Sequence, residues 1–245
     1  MSTIGILFTF GALDVTENNK DFINYPVVLT ANVRSLIPKI DCVCETLREE
    51  NVSFGFLSEL WLSDKNPMHQ RELDRRLSLE GFEFFTNSRA ARRGGGVGIV
   101  VNKNLGYTGK RLQVNCRVGA SSLEIVKGIK NFICASIYCP PRSKTNDLMI
   151  EHIQFNLNSL TALYPGAGIY LGGDINNLDC SRLCNTFPDM VNIVASPTRG
   201  EKILDVIVTN LHTAYDKAII LPPIQPDAEA PGLRYGHFLI FLVRL

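Results

Sequence analysis

Polar side chains stand at the ends of apolar segments whose β-branched and aromatic residues are typical of buried strands. They are Asn32, Glu59, Tyr138, Asp174 and Asn176. Strand ends in α/β proteins are where side chains converge on a ligand or a reacting group. Asp and Asn also cap strands and open turns, so one such residue would indicate little. Together, at the ends of separate strand-like segments, these residues predict a shared site.

The residue types suit hydrolysis of a phosphodiester. A hard cation polarises a phosphoryl oxygen and prefers carboxylate ligands, which is a role for Glu59. A base must take a proton from water, which is a role for Asp174. Donors must meet the charge that grows on the phosphorane, and each well-placed donor contributes about 3 kcal/mol. Asn176, Tyr138 and His237 are the candidate donors.

The spacing of Asp174 and Asn176 allows two interpretations. In an extended segment, residues two apart point to the same face, so both side chains would address one phosphate. The preceding Gly172 and Gly173 permit close backbone approach. The same sequence is also typical of a simple turn. Either structure leaves Asp174 at the end of a strand.

The predicted elements place these residues in an α/β fold. Strand 27–31, helix 40–47 and strand 52–57 form a first unit, and Asp147 caps a second helix. Further strand-like segments lie at 95–102, 122–127, 131–138, 168–172, 204–209, 216–221 and 237–243. Many short strands and few helices favour a four-layer sandwich of two packed, mainly antiparallel β-sheets flanked by helices, rather than one doubly wound sheet.

Composition limits the class of protein. The 245 residues are 45% hydrophobic and carry no linker-like stretch, which predicts one domain: a core at about 25–244 after an N-terminal extension, 1–24. A net charge of +1 means that any nucleic-acid partner requires locally clustered basic residues. Seven scattered cysteines without zinc spacing are typical of reduced intracellular thiols. We expect no membrane span and no signal peptide.

Several motifs occur in an order that resembles a known superfamily. They are ANVRSL (31–36), SELWL (58–62), GGGVGI (94–99), IYCPP (137–141), LGGDIN (171–176), PTR (197–199) and LD (204–205). This set resembles the endonuclease/exonuclease/phosphatase superfamily. It is most similar to the apurinic-endonuclease-like domain of non-LTR (LINE-type) retrotransposons. The resemblance covers nearly the whole chain.

The resemblance implies a role for each residue at the strand ends. Asn32 and Glu59 match the metal-site pair, with Glu59 as the direct ligand of Mg²⁺ (or Mn²⁺). Tyr138 matches the tyrosine that contacts the phosphate. Asp174 matches the residue that activates water, and Asn176 matches its neighbour that orients the attack.

The resemblance also assigns roles nearer the end of the chain. Asp205 matches the carboxylate that holds the catalytic histidine, and His237 matches that histidine. A histidine bonded to a buried carboxylate keeps a fixed ring orientation and a raised pKa, which favours the charged donor form. Thr198 matches a residue near the DNA-reading surface.

One position departs from the family pattern. The family ends in Ser-Asp-His, whereas this chain has Tyr235, Gly236 and His237. Glycine provides no carboxylate, and loss of a supporting carboxylate costs about 10–100-fold in metal affinity or activity. A second alignment of the tail brings Asp227 or Glu229 near this position. Gly236 therefore favours an alternative in which the chain is a weakened or repurposed DNA-binding or interaction module.

Basic residues provide candidate contacts with the DNA backbone. Arg89, Arg92 and Arg93 precede the glycine run, and Arg34 and Arg199 lie in the motifs. Such contacts would position a duplex without reading its sequence. The alternative for the first group is a solvated surface loop.

The resemblance implies an enzyme that nicks one strand of double-stranded DNA and leaves a 3′-hydroxyl for a reverse transcriptase to extend. The partner would be a reverse transcriptase domain in a longer polyprotein, and the place of action would be the nucleus. The chain ends inside a strand-like segment, consistent with such a polyprotein. A phosphatase or lipid phosphodiesterase of the same superfamily is a further alternative, which the 94–99 and 197–205 motifs disfavour.

Overall fold

Two six-stranded β-sheets form the centre of the protein, and helices cover their outer faces. The computed structural model describes residues 5–13, 25–62, 67–87, 94–111, 130–141, 146–222 and 240–244. The predicted strand at 122–127 lies outside these residues. The predicted fold class, a four-layer α/β sandwich with mainly antiparallel sheets, is confirmed; within the described residues only two strand pairings are parallel.

The strands are β1 (Gly5–Leu13), β2 (Val28–Asn32), β3 (Phe54–Ser58), β4 (Phe82–Asn87), β5 (Val97–Asn102), β6 (Tyr107–Arg111), β7 (Lys130–Tyr138), β8 (Gly168–Asp174), β9 (Val191–Asn192), β10 (Asp205–Thr209), β11 (Tyr215–Ile220) and β12 (Ile240–Arg244). The helices are α1 (Ile40–Glu49), α2 (Pro67–Leu79), α3 (Asn146–Leu163) and α4 (Cys180–Cys184). The first sheet has the order β6-β1-β7-β8-β10-β9, and the second has the order β11-β12-β2-β3-β5-β4.

Side chains alternate between the two faces of each strand, and this alternation divides the interior into three layers. In β7, Ile133 and Ala135 pack beneath α3, whereas Phe132 and Cys134 face the second sheet. Side chains of a strand alternate between its two faces, so one strand contributes to two cores. A third cluster lies between the second sheet and helices α1 and α2. The inner layers are therefore mainly apolar, and the polar residues of the site lie at the edge where the strands end.

Residues 5–13, part of the segment that the sequence predicted as an N-terminal extension, form strand β1. Strand β1 pairs with β7 along its whole length and with β6 on its other side. It therefore lies inside the first sheet. The apolar run 4–8, with Ile, Leu and Phe, has the composition of a strand, and pairing satisfies its backbone groups.

Two glycines allow β8 to pass close to its neighbours. A Cβ on Gly172 would stand 2.5 Å from the Phe56 ring of the facing sheet. Gly173 has a φ of +144°, and a Cβ there would stand 1.8 Å from the Ile137 carbonyl oxygen of β7. The sequence predicted a close approach at this pair, and the approaching groups are protein atoms. Asp174 follows directly, so these contacts fix where the strand presents it.

We expect Gly173→Ala to destabilise the protein far more than Gly166→Ala. Both glycines have positive φ, so alanine costs about 1–2 kcal/mol at each for backbone conformation alone. A Cβ at Gly166 meets open space, whereas one at Gly173 overlaps a carbonyl and adds an overpacking cost of about 1–3 kcal/mol or more. Urea unfolding of both variants measures the difference; equal losses would contradict the close approach.

Candidate functional site

Strand pairing brings the predicted site residues to one edge of the sandwich. In the first sheet, Tyr138 pairs with Asp174 across β7 and β8, and Asp174 pairs with Asp205 across β8 and β10. In the second sheet, Asn32 ends β2 beside Ser58, the last residue of β3. Glu59 follows immediately. Residues more than a hundred positions apart in the chain therefore meet around Asp174.

Asp174 is the centre of the hydrogen-bond network. Its Oδ2 accepts a bond of 2.7 Å from Nδ2 of Asn32 and one of 3.1 Å from Nη2 of Arg199. Its Oδ1 accepts a bond of 3.0 Å from the backbone N–H of Asn176. Only 1% of the side chain is exposed. Burial raises the pKa of Asp174, while Arg199 and Asn32 oppose that rise by stabilising the carboxylate.

The segment after β8 is a turn. The bond from the Asn176 N–H to the Asp174 carboxylate closes an Asx-type turn, and Asn176 has a φ of +43°. Its side-chain Nδ2 donates to the carbonyl oxygen of Cys139 at 2.9 Å. Of the two interpretations of the Asp174–Asn176 spacing, the turn is therefore the one that forms. This turn brings the side chains of Asp174 and Asn176 into the same site.

Glu59 is held by donors from three parts of the chain. Its Oε1 accepts the hydroxyl of Tyr138 from the first sheet. Its Oε2 accepts the indole N–H of Trp61 at 2.6 Å and the backbone N–H of Gly95 at 2.7 Å. Trp61 therefore supports Glu59 through a direct hydrogen bond. Both Glu59 and Trp61 have positive φ, a conformation that costs energy and concentrates at functional sites.

Asp205 is a second buried carboxyl group beside Asp174. None of its side chain is exposed, and neither carboxylate oxygen has a hydrogen-bond partner among the described residues. Burial and the neighbouring Asp174 raise the pKa of Asp205 to about 7, while the positive charge of Arg199 lowers it. A buried carboxylate without a donor is unfavourable, so this position favours a cationic partner.

Thr198 lies inside the protein. Its side chain is fully buried, and its Oγ1 accepts the backbone N–H groups of Leu204 at 2.9 Å and Asp205 at 3.1 Å. The sequence placed Thr198 near a DNA-reading surface. In the structure, its hydroxyl instead shapes the turn that leads into β10.

The remaining predicted residues do not all lie in the network around Asp174. Arg34 follows Asn32 in a half-exposed turn with a φ of +41°, and Arg199 enters the site itself. Arg93, Gly236 and His237 lie outside the described residues. Contact of Arg34, Arg93, Thr198 and Arg199 with DNA stays a prediction.

Lys39 is a residue that the sequence did not single out. Its side chain is fully buried, and its Nζ donates to the carbonyl oxygens of Val33 at 2.5 Å and Arg34 at 2.9 Å. Burial, with a smaller effect of Arg34, lowers the pKa of Lys39 to about 8. Lys39 therefore fixes the turn that follows Asn32. A lysine between the apolar residues of 36–40 was the available signal.

Two surface cavities of about 610 and 590 Å³ lie elsewhere, along α1 and α2, and share Arg48, Leu79 and Glu80 in their linings. Neither contains a residue of the network around Asp174. In the described ranges, no three His, Cys, Asp or Glu side chains cluster as a ready-made cation site. No helix in the described part of the chain has the length and apolar character needed to cross a bilayer.

The fold matches that of several solved proteins. The AP endonuclease LMAP from Leishmania major has a TM-score of 0.58 at 14% identity, covering 95% of this chain and 92% of that chain. The 3′ phosphatase NExo from Neisseria, bound to a product DNA hairpin, has a TM-score of 0.56 at 14% identity, covering 90% and 99%. Truncated TDP2 from Caenorhabditis elegans has a TM-score of 0.53 at 12% identity, covering 89% and 96%. At these identities the comparison shows the fold alone.

Neither a protein-family model nor a curated protein matches the sequence. The resemblance to the retrotransposon branch therefore rests on the sequence motifs alone.

We expect the stability of the protein to depend on the protonation of Lys39. Its folded-state pKa of about 8 lies below its ordinary value of 10.5, so the unfolded chain binds more protons between these pH values. The contribution of Lys39 to the free energy of unfolding therefore rises with pH across this window, by up to about 3 kcal/mol. Lys39→Met removes this rise.

Urea unfolding of the wild type and Lys39→Met at pH 7.5 and 10 tests the prediction, with Lys103→Met on the surface as the control. The difference between the wild type and Lys39→Met should grow with pH, while Lys103→Met follows the wild type. A constant difference would show that Lys39 keeps its ordinary titration.

Proposed function

We propose that the chain is a metal-dependent phosphodiesterase that nicks one strand of double-stranded DNA. The observation that carries the proposal is the network in which Asn32, Glu59, Tyr138, Asp174 and Asn176 meet at one edge of the two sheets. This is the chemical set that phosphodiester hydrolysis requires. Among the solved structures that share the fold, one is described as a 3′ phosphatase bound to a product DNA hairpin and others as AP endonucleases, which supports DNA as the substrate.

Glu59 and Asn32 are the proposed holders of Mg²⁺ or Mn²⁺. A carboxylate has about four acceptor positions, and the donors around Glu59 occupy three of them. Oδ1 of Asn32 is buried and has no hydrogen-bond partner among the described residues. Oxygen ligands of this kind fit a hard cation that retains several waters. The cation would polarise the phosphoryl oxygen.

Asp174 is the proposed base. Its Oδ1 accepts one hydrogen bond and has a second lone pair, so it is the oxygen able to take a proton from the attacking water. Attack at phosphorus breaks the P–O3′ bond, and the leaving O3′ takes a proton from solvent water. The cut strand then has a 3′-hydroxyl at one end and a 5′-phosphate at the other. Tyr138 and Asn176 would contact the phosphate, and the donors that hold them fix their positions before the substrate binds.

His237 is the proposed partner of the buried Asp205. A charged imidazole would provide the donor that both Asp205 oxygens lack among the described residues, and would then face the phosphate. Arg34, Arg93 and Arg199 are the proposed side chains nearest the DNA backbone, while Thr198 supports the turn that carries Arg199. The nick leaves a primer end for a polymerase, so a reverse transcriptase domain is the proposed partner and the nucleus the proposed place of action.

Relaxation of a supercoiled plasmid tests the activity. We expect nicking with Mg²⁺ and none with a chelator. Asp174→Ala or His237→Ala should reduce the rate at least about 100-fold, the scale of losing one group that acts in the transition state. His69→Ala on α2 is the matched control. Rapid cutting by both site variants would reject the assignment, and hydrolysis of a small phosphoester with no effect on DNA would favour the phosphatase alternative.

Trp61 provides a direct measurement of metal binding. It is the single tryptophan of the chain, and its indole N–H donates to the Glu59 carboxylate. We expect its fluorescence to change on titration with Mg²⁺ or Mn²⁺, because ligation of Glu59 alters the charge beside the indole. Glu59→Gln should abolish the saturable change, and Glu83→Gln on β4 should keep it. A Glu59→Gln response equal to that of the wild type would place the cation elsewhere.

Gly236 favours one alternative, a module that binds duplex DNA with little cleavage. That function predicts tight binding, slow nicking, and faster nicking by Gly236→Asp, because the added carboxylate would restore the family pattern. Brisk nicking by the unchanged protein would exclude it.

A further inference from the structure

Arg199 enters the site from a tightly tied turn. The backbone N–H groups of Thr198 and Arg199 both donate to the carbonyl oxygen of Lys202, at 2.9 and 3.0 Å, and Lys202 returns a bond of 3.1 Å to Arg199. The Thr198 hydroxyl ties the same turn to the start of β10. The backbone of Arg199 is therefore fixed before its side chain makes any contact.

The guanidinium group of Arg199 contacts Asp174 and Asn176, the residues proposed to activate and orient the attacking water. Nη2 lies 3.1 Å from Oδ2 of Asp174, and Nη1 lies 3.5 Å from Oδ1 of Asn176. The side chain of Arg199 is 25% exposed, whereas that of Asp174 is 1% exposed. An ion pair with so little solvent is weakly screened, so the attraction between Arg199 and Asp174 keeps most of its strength.

The contacts distinguish the two oxygens of Asp174. Oδ2 accepts from both Asn32 and Arg199, which fills its acceptor positions. Among the described residues, Oδ1 accepts only the Asn176 N–H. The ion pair therefore keeps the carboxylate from rotating and directs its remaining lone pair away from Arg199.

We propose that Arg199 is a positioning residue, which fixes the orientation of Asp174 and Asn176 so that Oδ1 of Asp174 faces the attacking water. This inference rests on the proposed function. It replaces, for Arg199 alone, the role of a DNA phosphate contact that the sequence predicted. A guanidinium has the planar fork needed to reach both residues at once, whereas a lysine ammonium reaches one.

Three variants separate the two roles of Arg199. Arg199→Gln removes the ion pair, and Arg199→Lys restores the charge at Asp174 without the fork. Arg182→Gln is the control, because Arg182 lies on α4 and pairs with the exposed Asp147. Thermal unfolding of each variant first establishes that it folds.

Single-turnover nicking and duplex binding at several salt concentrations are then measured. We expect Arg199→Gln to lower the cleavage rate about 10–100-fold, Arg199→Lys to recover part of it, and both to keep the affinity and the salt slope of binding. Loss of one phosphate contact would instead weaken binding and reduce the salt slope by about one. That result, or an unchanged cleavage rate, would overturn the proposal.

A measurement without substrate keeps this test separate from the proposed function. Hydrogen exchange of the Asn176 amide and the chemical shifts of the Asn32 side-chain amide both report the orientation of Asp174. We expect faster exchange and shifted resonances in Arg199→Gln, and wild-type values in Arg182→Gln. Unchanged signals would overturn the positioning role. A wild-type protein that fails to nick DNA would reject the proposed function while these signals still tested Arg199.

Discussion

The hydrogen bond between Asn32 and Asp174 is the interaction on which the site depends. Asn32 ends a strand of the second sheet and Asp174 ends a strand of the first, so the bond joins the two sheets at their shared edge. A buried carboxylate is unfavourable unless donors surround it. Asn32, Arg199 and the Asn176 N–H provide these donors. Asn32 is the donor among them that comes from the other sheet, so the surroundings of this carboxylate depend in part on how the sheets pack.

The packing of the sheets in turn depends on two glycines and on one buried lysine. Gly172 admits the Phe56 ring of the facing sheet, and Gly173 admits the Ile137 carbonyl of the neighbouring strand. Buried Lys39 holds two carbonyl groups in the turn after Asn32. These contacts lie next to the site and take no part in the proposed chemistry. They set the distances at which the reacting groups meet, because a close-packed interior transmits small displacements.

The sequence predicted the sandwich, helix α1 and the strand-end residues, because apolar periodicity and polar ends are local signals. It did not predict α2, where only Leu73 and Leu77 are buried and the rest of the helix carries little amphipathic pattern. It treated 1–24 as an extension, because the pairing of β1 with β7 is a long-range contact that no local pattern records. The partner of Arg199 was also inaccessible, since 25 residues separate it from Asp174.

The two sheets contribute different groups to the site, and this arrangement determines how the proposed activity would be lost. Glu59 follows a strand of one sheet and Asp174 ends a strand of the other, while side-chain bonds from Asn32 and Tyr138 hold them in register. A slide of the layers by about 2 Å would stretch the 2.7 Å bond from Asn32 to Asp174 beyond about 3.2 Å, where hydrogen bonds weaken. The backbone ladders within each sheet would remain intact. Mild heat or denaturant would therefore abolish the proposed activity while the circular dichroism spectrum of the protein still resembled that of the native state.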